Sequence, residues 1–125
     1  NYFIELEYGE DYYLREDAEQ FKYIFIPKVL MTDELFIKLS LQAKILYGLL
    51  LDRMSRSKKN HWIDHNDHVY IIYPIVEIQD DMGASKRKIQ DYLSELEGYG
   101  LIERKKQGNG RPNLLYIKNF ILESA

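Results

Sequence analysis

Between residues 40 and 100 the apolar positions fall three times into helical spacing. The first run, 41–54, follows Ser40, whose hydroxyl suits an N-cap. Its apolar residues (Leu41, Ile45, Leu46, Leu49, Leu50 and Met54) cover well over half the circumference, which predicts the central core helix. Lys44, Asp52 and Arg53 mark its predicted wet side. Gly48 marks a point where another element can come close. The second run is short. Ile75, Ile78 and Met82 stand at i, i+3 and i+7, one face of a helix of about two turns, and Gly83 suits a left-handed stop. The third run opens on Ser85 as N-cap and is predicted to end before Gly98. Ile89, Tyr92, Leu93 and Leu96 share its inner face. At about 100° per residue Arg87, Asp91 and Ser94 share the outer face, with Lys88 and Gln90 on its flanks.

Other stretches carry strand patterns. Ile4, Leu6 and Tyr8 alternate with Glu5 and Glu7, Gly9 to Asp11 reads as a turn, and Tyr12 to Leu14 as a returning strand. Residues 21–26 form a further strand candidate, closed by Pro27, which cannot donate to a central ladder. Thr32 is placed to cap a short helix through Leu39, with Asp33 and Glu34 in its first turn. After the long helix, residues 55–60 make a polar connector with Lys58 and Lys59. Residues 62–63 and 69–73 then read as a hairpin about an Asp64–Asp67 turn. Near the end, Leu101 and Ile102 open a strand, 103–113 make a loop with Gly108, Gly110 and Pro112, and 114–118 return.

Helix, tight turn, helix and basic hairpin together predict an α+β fold, a winged helix-turn-helix with an additional N-terminal β-hairpin. The third helix begins Lys86-Arg87-Lys88, three cations where the helix dipole favours anions. That placement points to an anionic partner. A helix-turn-helix sets the first residues of its second helix against DNA base edges and phosphates. Ser85, Lys86, Arg87, Lys88, Gln90, Asp91 and Ser94 are therefore the candidate DNA-facing residues of the helix. Lys105, Lys106 and Arg111 are those of the wing, and Lys58 and Lys59 join them from the connector. Arg87, Gln90, Asp91 and Ser94 are expected to face the major groove, and Lys86 and Lys88 to meet phosphates.

Charge refines this picture. The net charge of −3 opposes nucleic-acid binding, but residues 1–20 hold seven acids and one base, a balance of −6. The other 105 residues hold sixteen bases and thirteen acids, a balance of +3. Affinity for a polyanion follows the local field at the docking face rather than the sum. The acidic first twenty residues would repel phosphates, so Ile4, Leu6 and Tyr8 are read as a dimerisation element on an edge strand, the alternative being a hairpin that packs on its own domain.

The chain contains no cysteine, which excludes disulfides and thiolate metal sites and fits a reducing cytoplasm. No metal is expected at His61, His65 and His68, whose spacing follows a hairpin tip rather than a ligand cage. Nor is a cofactor: neither a nucleophile elbow nor a phosphate-binding glycine loop is present, which argues against an enzyme. The longest apolar run, 45–51, is too short to span a bilayer. Starting at Asn1 and stopping at Ala125, the chain reads as part of a longer protein. Its expected organisation is an acidic arm (1–20), a winged-helix domain (21–120) and the start of a linker (121–125).

Several runs resemble a known family. They are Ile26-Pro27-Lys28, Leu39-Ser40-Leu41-Gln42-Ala43-Lys44, the stretch from Tyr47 to Ser55, Ser57-Lys58-Lys59-Asn60 and Trp62-Ile63-Asp64. The likeness continues through Val69 to Tyr73, Gly100-Leu101-Ile102, Lys105 to Gly108 and Pro112 to Tyr116. In this order, over about residues 21–120, the chain resembles the N-terminal domain of the replication initiator A (RepA) family of low-GC Gram-positive plasmids and mobile elements. The resemblance implies a dimeric winged helix that binds repeated sequences of double-stranded DNA at an origin. It also implies a linker to a C-terminal domain that contacts host replication proteins. Pro74 departs from the family, which usually offers a capping hydroxyl there, and residues 1–20 match poorly. A transcription regulator and a protein-interaction module are alternatives that the same fold accommodates.

Overall fold

A computed structural model describes Tyr12 and residues 21–120. The predicted N-terminal hairpin, with Ile4, Leu6 and Tyr8, and residues 121–125 lie outside the described residues. The elements run α1 (Lys28–Thr32), a 3-10 turn (Glu34–Phe36), α2 (Leu41–Met54), β1 (Ile71–Ile72), α3 (Ile75–Met82), α4 (Lys86–Gly98), β2 (Ile102–Lys105) and β3 (Leu114–Ile117). The three strands make one antiparallel sheet in the order β1-β3-β2, with Ile71 opposite Leu115 and Ile102 opposite Ile117. This is an α+β winged helix, as the periodicity predicts.

Helix α2 is the core helix. Ser40 caps it by accepting the Ala43 N–H at 3.1 Å, and Ala43, Leu46, Tyr47 and Leu50 are buried. Leu30, Phe36 and Leu39 close one end of this core; Ile78, Ile89, Leu93 and Leu96 come from α3 and α4, and Ile71, Ile102 and Leu115 from the sheet. At Gly48 a Cβ would stand 3.0 Å from Ile26 Cγ1 and 3.3 Å from the Phe25 carbonyl oxygen, so glycine eases the close approach of the segment that crosses there. That segment is residues 21–26, which form no strand. Its backbone lies across a helix instead of beside a strand.

The predicted wet side of α2 is also revised. Lys44 is only 6% exposed, while Leu41 and Ile45 are 60% and 43% exposed. Lys44 stands one turn before Gly48, on the face that Ile24, Phe25 and Ile26 pack against, and a lysine stem can be buried along such a surface while its head reaches out. Arg53 is likewise drawn in. It donates to the Ile72 carbonyl at 3.0 Å, pairs with Glu77 at 3.2 Å and lies 3.9 Å over the Tyr73 ring. Tyr73 in turn donates to Asp81, so α2, β1 and α3 share one polar seam. Burial first, then the bond to Asp81, pushes the Tyr73 hydroxyl pKa far up.

Three boundaries differ from the sequence reading. A helix starts directly after Pro27 and ends at Thr32, whose hydroxyl donates back to Lys28; Asp33 caps the following 3-10 turn by accepting the Leu35 N–H. Burial of Leu30 selects this arrangement over a helix starting at Thr32. Gly98 is the last residue of α4 rather than the residue beyond it, and Gly100, with φ 74°, takes the left-handed position. Leu101 N–H then bonds the Leu96 carbonyl at 3.0 Å, closing the helix end. The predicted 62–73 hairpin shrinks to one bridge between Ile63 and Val69, because Ile71 and Ile72 pair with β3. Gly83 ends α3 as predicted, with φ 64°.

Candidate nucleic-acid interface

Pro74 precedes α3 without a side-chain cap, Gly83 turns the chain, and Ser85 starts α4 by accepting the Lys88 N–H at 3.3 Å. The α4 stripe of Ile89, Leu93 and Leu96 is buried against the core, which sends the opposite side outward. Ser85, Lys86, Arg87, Lys88, Gln90, Asp91 and Ser94 are all exposed. Lys86, Arg87 and Lys88 form no ion pair among the described residues. Three cations without an ion pair among the described residues thus occupy the positive end of a helix.

The wing carries a second basic group. Gly108, Asn109 and Gly110 are all left-handed, with φ 78°, 54° and 72°, and Gln107 closes the loop by donating to the Pro112 carbonyl at 2.7 Å. Lys106 and Arg111 are exposed on this loop. Lys105 is not in the loop. It ends β2, with its ammonium 4.7 Å over the Tyr116 ring and 3.9 Å from Glu103. The loop is shorter than the predicted 103–113 because Glu103, Arg104 and Lys105 pair with β3.

Alternation along β2 puts Arg104 on the opposite side of the sheet from Lys105. The Arg104 guanidinium donates to Glu97 at 2.9 Å and to Ser94 Oγ at 3.2 Å, and its backbone N–H donates to Glu97 at 3.1 Å. Those bonds hold the Glu97 carboxyl pKa below the usual range. Arg104 is the site residue that sequence reasoning misses; its position beside the glycine loop hides its strand register. A cleft between α4 and the wing has Leu93 and Leu115 at its base and the exposed Gln90 and Asn113 at its mouth.

Lys58 and Lys59 are exposed but stand apart from this cleft. Their turn is tied to the β1 side of the sheet, where Ser57 donates to the Tyr70 carbonyl at 3.1 Å. Beyond it, Asp64 accepts the Asn66 and His68 N–H groups and the Tyr116 hydroxyl, a bond of 2.9 Å. The His68 backbone bond is the main reason that the Asp64 pKa is lowered. Among the described residues, no group of three His, Asp or Glu side chains is placed to hold a metal. No described helix is long and apolar enough to cross a membrane.

The chain is similar to proteins of known kind. The 41 kDa protein of Lactobacillus helveticus is 32% identical over 82 residues, which are 66% of this chain and 23% of that protein. The chain therefore spans less than a quarter of that relative's length. Among solved structures, a Rep-DNA complex superposes with a TM-score of 0.76 at 30% identity, covering 91% of this chain and 88% of that one. The N-terminal domain of a DNA binding protein gives 0.75 at 30% identity, covering 91% and 87%, and an MDR initiator 0.72 at 31%, covering 90% and 89%. The family model described as Replication initiator protein A (RepA) N-terminus matches residues 22–125, most of the chain. The chain belongs to that family.

Proposed function

We propose that this domain binds double-stranded DNA in a sequence-specific manner at repeated sites of a replication origin. It does so as the N-terminal domain of a plasmid or mobile-element initiator. The observation that carries this reading is the first turn of α4: Lys86, Arg87 and Lys88, exposed and without an ion pair among the described residues, at the positive end of a helix buried along its other side. Membership of the family and likeness to a solved Rep-DNA complex support it.

In this reading α4 enters the major groove. Arg87, Gln90, Asp91 and Ser94 face bases, and Ser85, Lys86 and Lys88 face phosphates. Lys106 and Arg111 reach the backbone beside the groove, with Lys105 behind them. Lys58 and Lys59 meet phosphates only where DNA continues past the β1 edge. Ile4, Leu6 and Tyr8 associate two copies, and the resulting dimer matches paired repeats. Contacts with host replication proteins belong to a further domain of the whole protein, which acts in the cytoplasm without chemistry of its own.

Footprinting of the 125-residue chain on its own gene and the flanking DNA tests the reading. Protection of repeated sites is expected. Arg87→Ala should relax preference at one base pair by about 1–3 kcal/mol, whereas Lys88→Ala should weaken all sequences alike. Neutralising Lys105, Lys106 and Arg111 should reduce the slope of log affinity against log salt by about 0.9 for each phosphate no longer neutralised. Absence of protected sites, or affinity independent of salt, would overturn the proposal.

A further inference from the structure

The proposed reader has two parts, α4 and the wing loop, and the loop has little hold of its own on the helix. Its polar bonds, Gln107 to the Pro112 carbonyl and Arg111 N–H to the Gly108 carbonyl, are both internal. Among the described residues, no other hydrogen bond or ion pair joins 106–113 to α4. In the left-handed run Gly108, Asn109 and Gly110 only Asn109 carries a side chain, and it is exposed. The angle between wing and helix must then be set at the root of the wing.

Arg104 occupies that root. It pairs with Leu115 in the ladder and stands one residue before the end of β2. Its Nε and Nη2 donate to one Glu97 oxygen at 3.3 and 2.9 Å, and its backbone N–H donates to the other at 3.1 Å. Nη2 also reaches Ser94 Oγ at 3.2 Å, one turn earlier on α4. A planar guanidinium held at two points fixes direction as well as distance, which a lysine ammonium cannot do. The pair is half-buried rather than solvent-bathed, with side chains 24% and 38% exposed.

We propose that Arg104 is a positioning residue for DNA binding: by bridging Glu97 and Ser94 it sets the wing at one angle to α4. Helix and wing thereby meet the duplex in a single register. This rests on the DNA-binding reading above. It also changes the part played by Ser94, whose hydroxyl oxygen is engaged by Arg104. Ser94 supports the bridge, and base reading falls to Arg87, Gln90 and Asp91.

A charge swap separates positioning from direct phosphate contact. Arg104→Glu should weaken binding to a duplex carrying the footprinted repeat severalfold and remove the wing's share of the salt slope. The base preference governed by Arg87 should persist. Glu97→Arg combined with Arg104→Glu should recover part of the lost affinity and slope, because the side-chain ion pair re-forms in reverse while the bond from the residue-104 backbone N–H does not. If the double variant stays as weak as Arg104→Glu alone, Arg104 contacts phosphate itself and the positioning role is overturned. Wild-type affinity and slope in Arg104→Glu overturn it equally. Glu97→Gln, which keeps the shape and weakens the bridge, gives the same comparison should Arg104→Glu not fold. Residual dipolar couplings of the DNA-free chain report the wing angle directly. They should lose a single orientation in Glu97→Gln and keep it in the swap, and an unchanged orientation in Glu97→Gln overturns the proposal. This arm holds even if the wild-type chain binds no DNA, a result that would instead refute the functional reading.

Discussion

Helices α2 and α4 are nearly equal in length, 14 and 13 residues, and each starts on a serine that caps the amide three residues on. Their surroundings differ. Helix α2 buries Ala43, Lys44, Leu46, Tyr47, Gly48 and Leu50, residues that wrap around much of its axis. Helix α4 buries only Ile89, Leu93 and Leu96, a single stripe at i, i+4 and i+7. Local start signals are therefore equivalent, and packing decides what each helix is for. A helix enclosed on most sides is committed to holding the fold. One held along a single stripe keeps the rest of its surface for a partner.

Substitutions can break or sharpen this contrast. The largest effect is expected in the shared core. Leu46→Ala in α2 and Leu93→Ala in α4, both buried, should each cost about 2–5 kcal/mol in urea unfolding. A much smaller cost for Leu93→Ala would mean that α4 is seated more loosely than its burial implies. The caps come next. Ser85→Ala should cost about 1 kcal/mol, the usual worth of an N-cap. Ser40→Ala should cost about 1 kcal/mol more, because the Ser40 hydroxyl also donates to Glu95 of α4 at 2.8 Å. Equal losses for the two serines would show that the bond to Glu95 adds nothing.

On the free surface of α4 the stability effect should nearly vanish. Arg87→Ala is expected to leave unfolding within about 0.5 kcal/mol of wild type while it changes base preference. A larger loss would mean that this face also supports the fold. The smallest effect is on pH. Glu97 has its pKa lowered, chiefly by its bonds from the Arg104 side chain. A carboxyl depressed by folding contributes stability above its unfolded pKa and loses it as pH falls through the folded one. Acidification below about pH 4 should therefore loosen the α4–β2 bridge, by less than about 1 kcal/mol because the pair is partly solvated. Resonances of the Arg104 guanidinium should report that change at a pH where Leu46 is still unaffected.

What could be read from the sequence was local. Ser40, Ser85 and Gly83 announce helix ends because a cap or a left-handed stop needs only a few neighbouring residues. The stripe of Ile89, Leu93 and Leu96 announces its buried face for the same reason. What remained hidden depends on partners distant in the chain. Lys44 is polar, and only the crossing of residues 24–26 at Gly48 reveals that its face is covered. Ile71 and Ile72 look like half of a local hairpin, yet they pair with residues more than forty positions later. The place of Arg104 depends on strand register, which the neighbouring glycines obscure. Asp33 rather than Thr32 acts as the cap because burial of Leu30 is also a tertiary matter.

The pairing of β1 with β3 makes the helix-turn-helix a modular unit. The strand that leads into α3 and the hairpin that leaves α4 lie in one sheet, so the two helices are both entered and left through the same seam. Between Ile72 and Ile102 the chain forms a closed cassette, attached to α2 through Arg53 and through Glu95. A relative that preserves Ile78, Ile89, Leu93, Glu95 and Leu96 keeps the seating of that cassette. If Arg87, Gln90 and Asp91, on its outer side, read bases as proposed, they are then free to vary, and an initiator lineage can acquire a new DNA vocabulary without rebuilding its core.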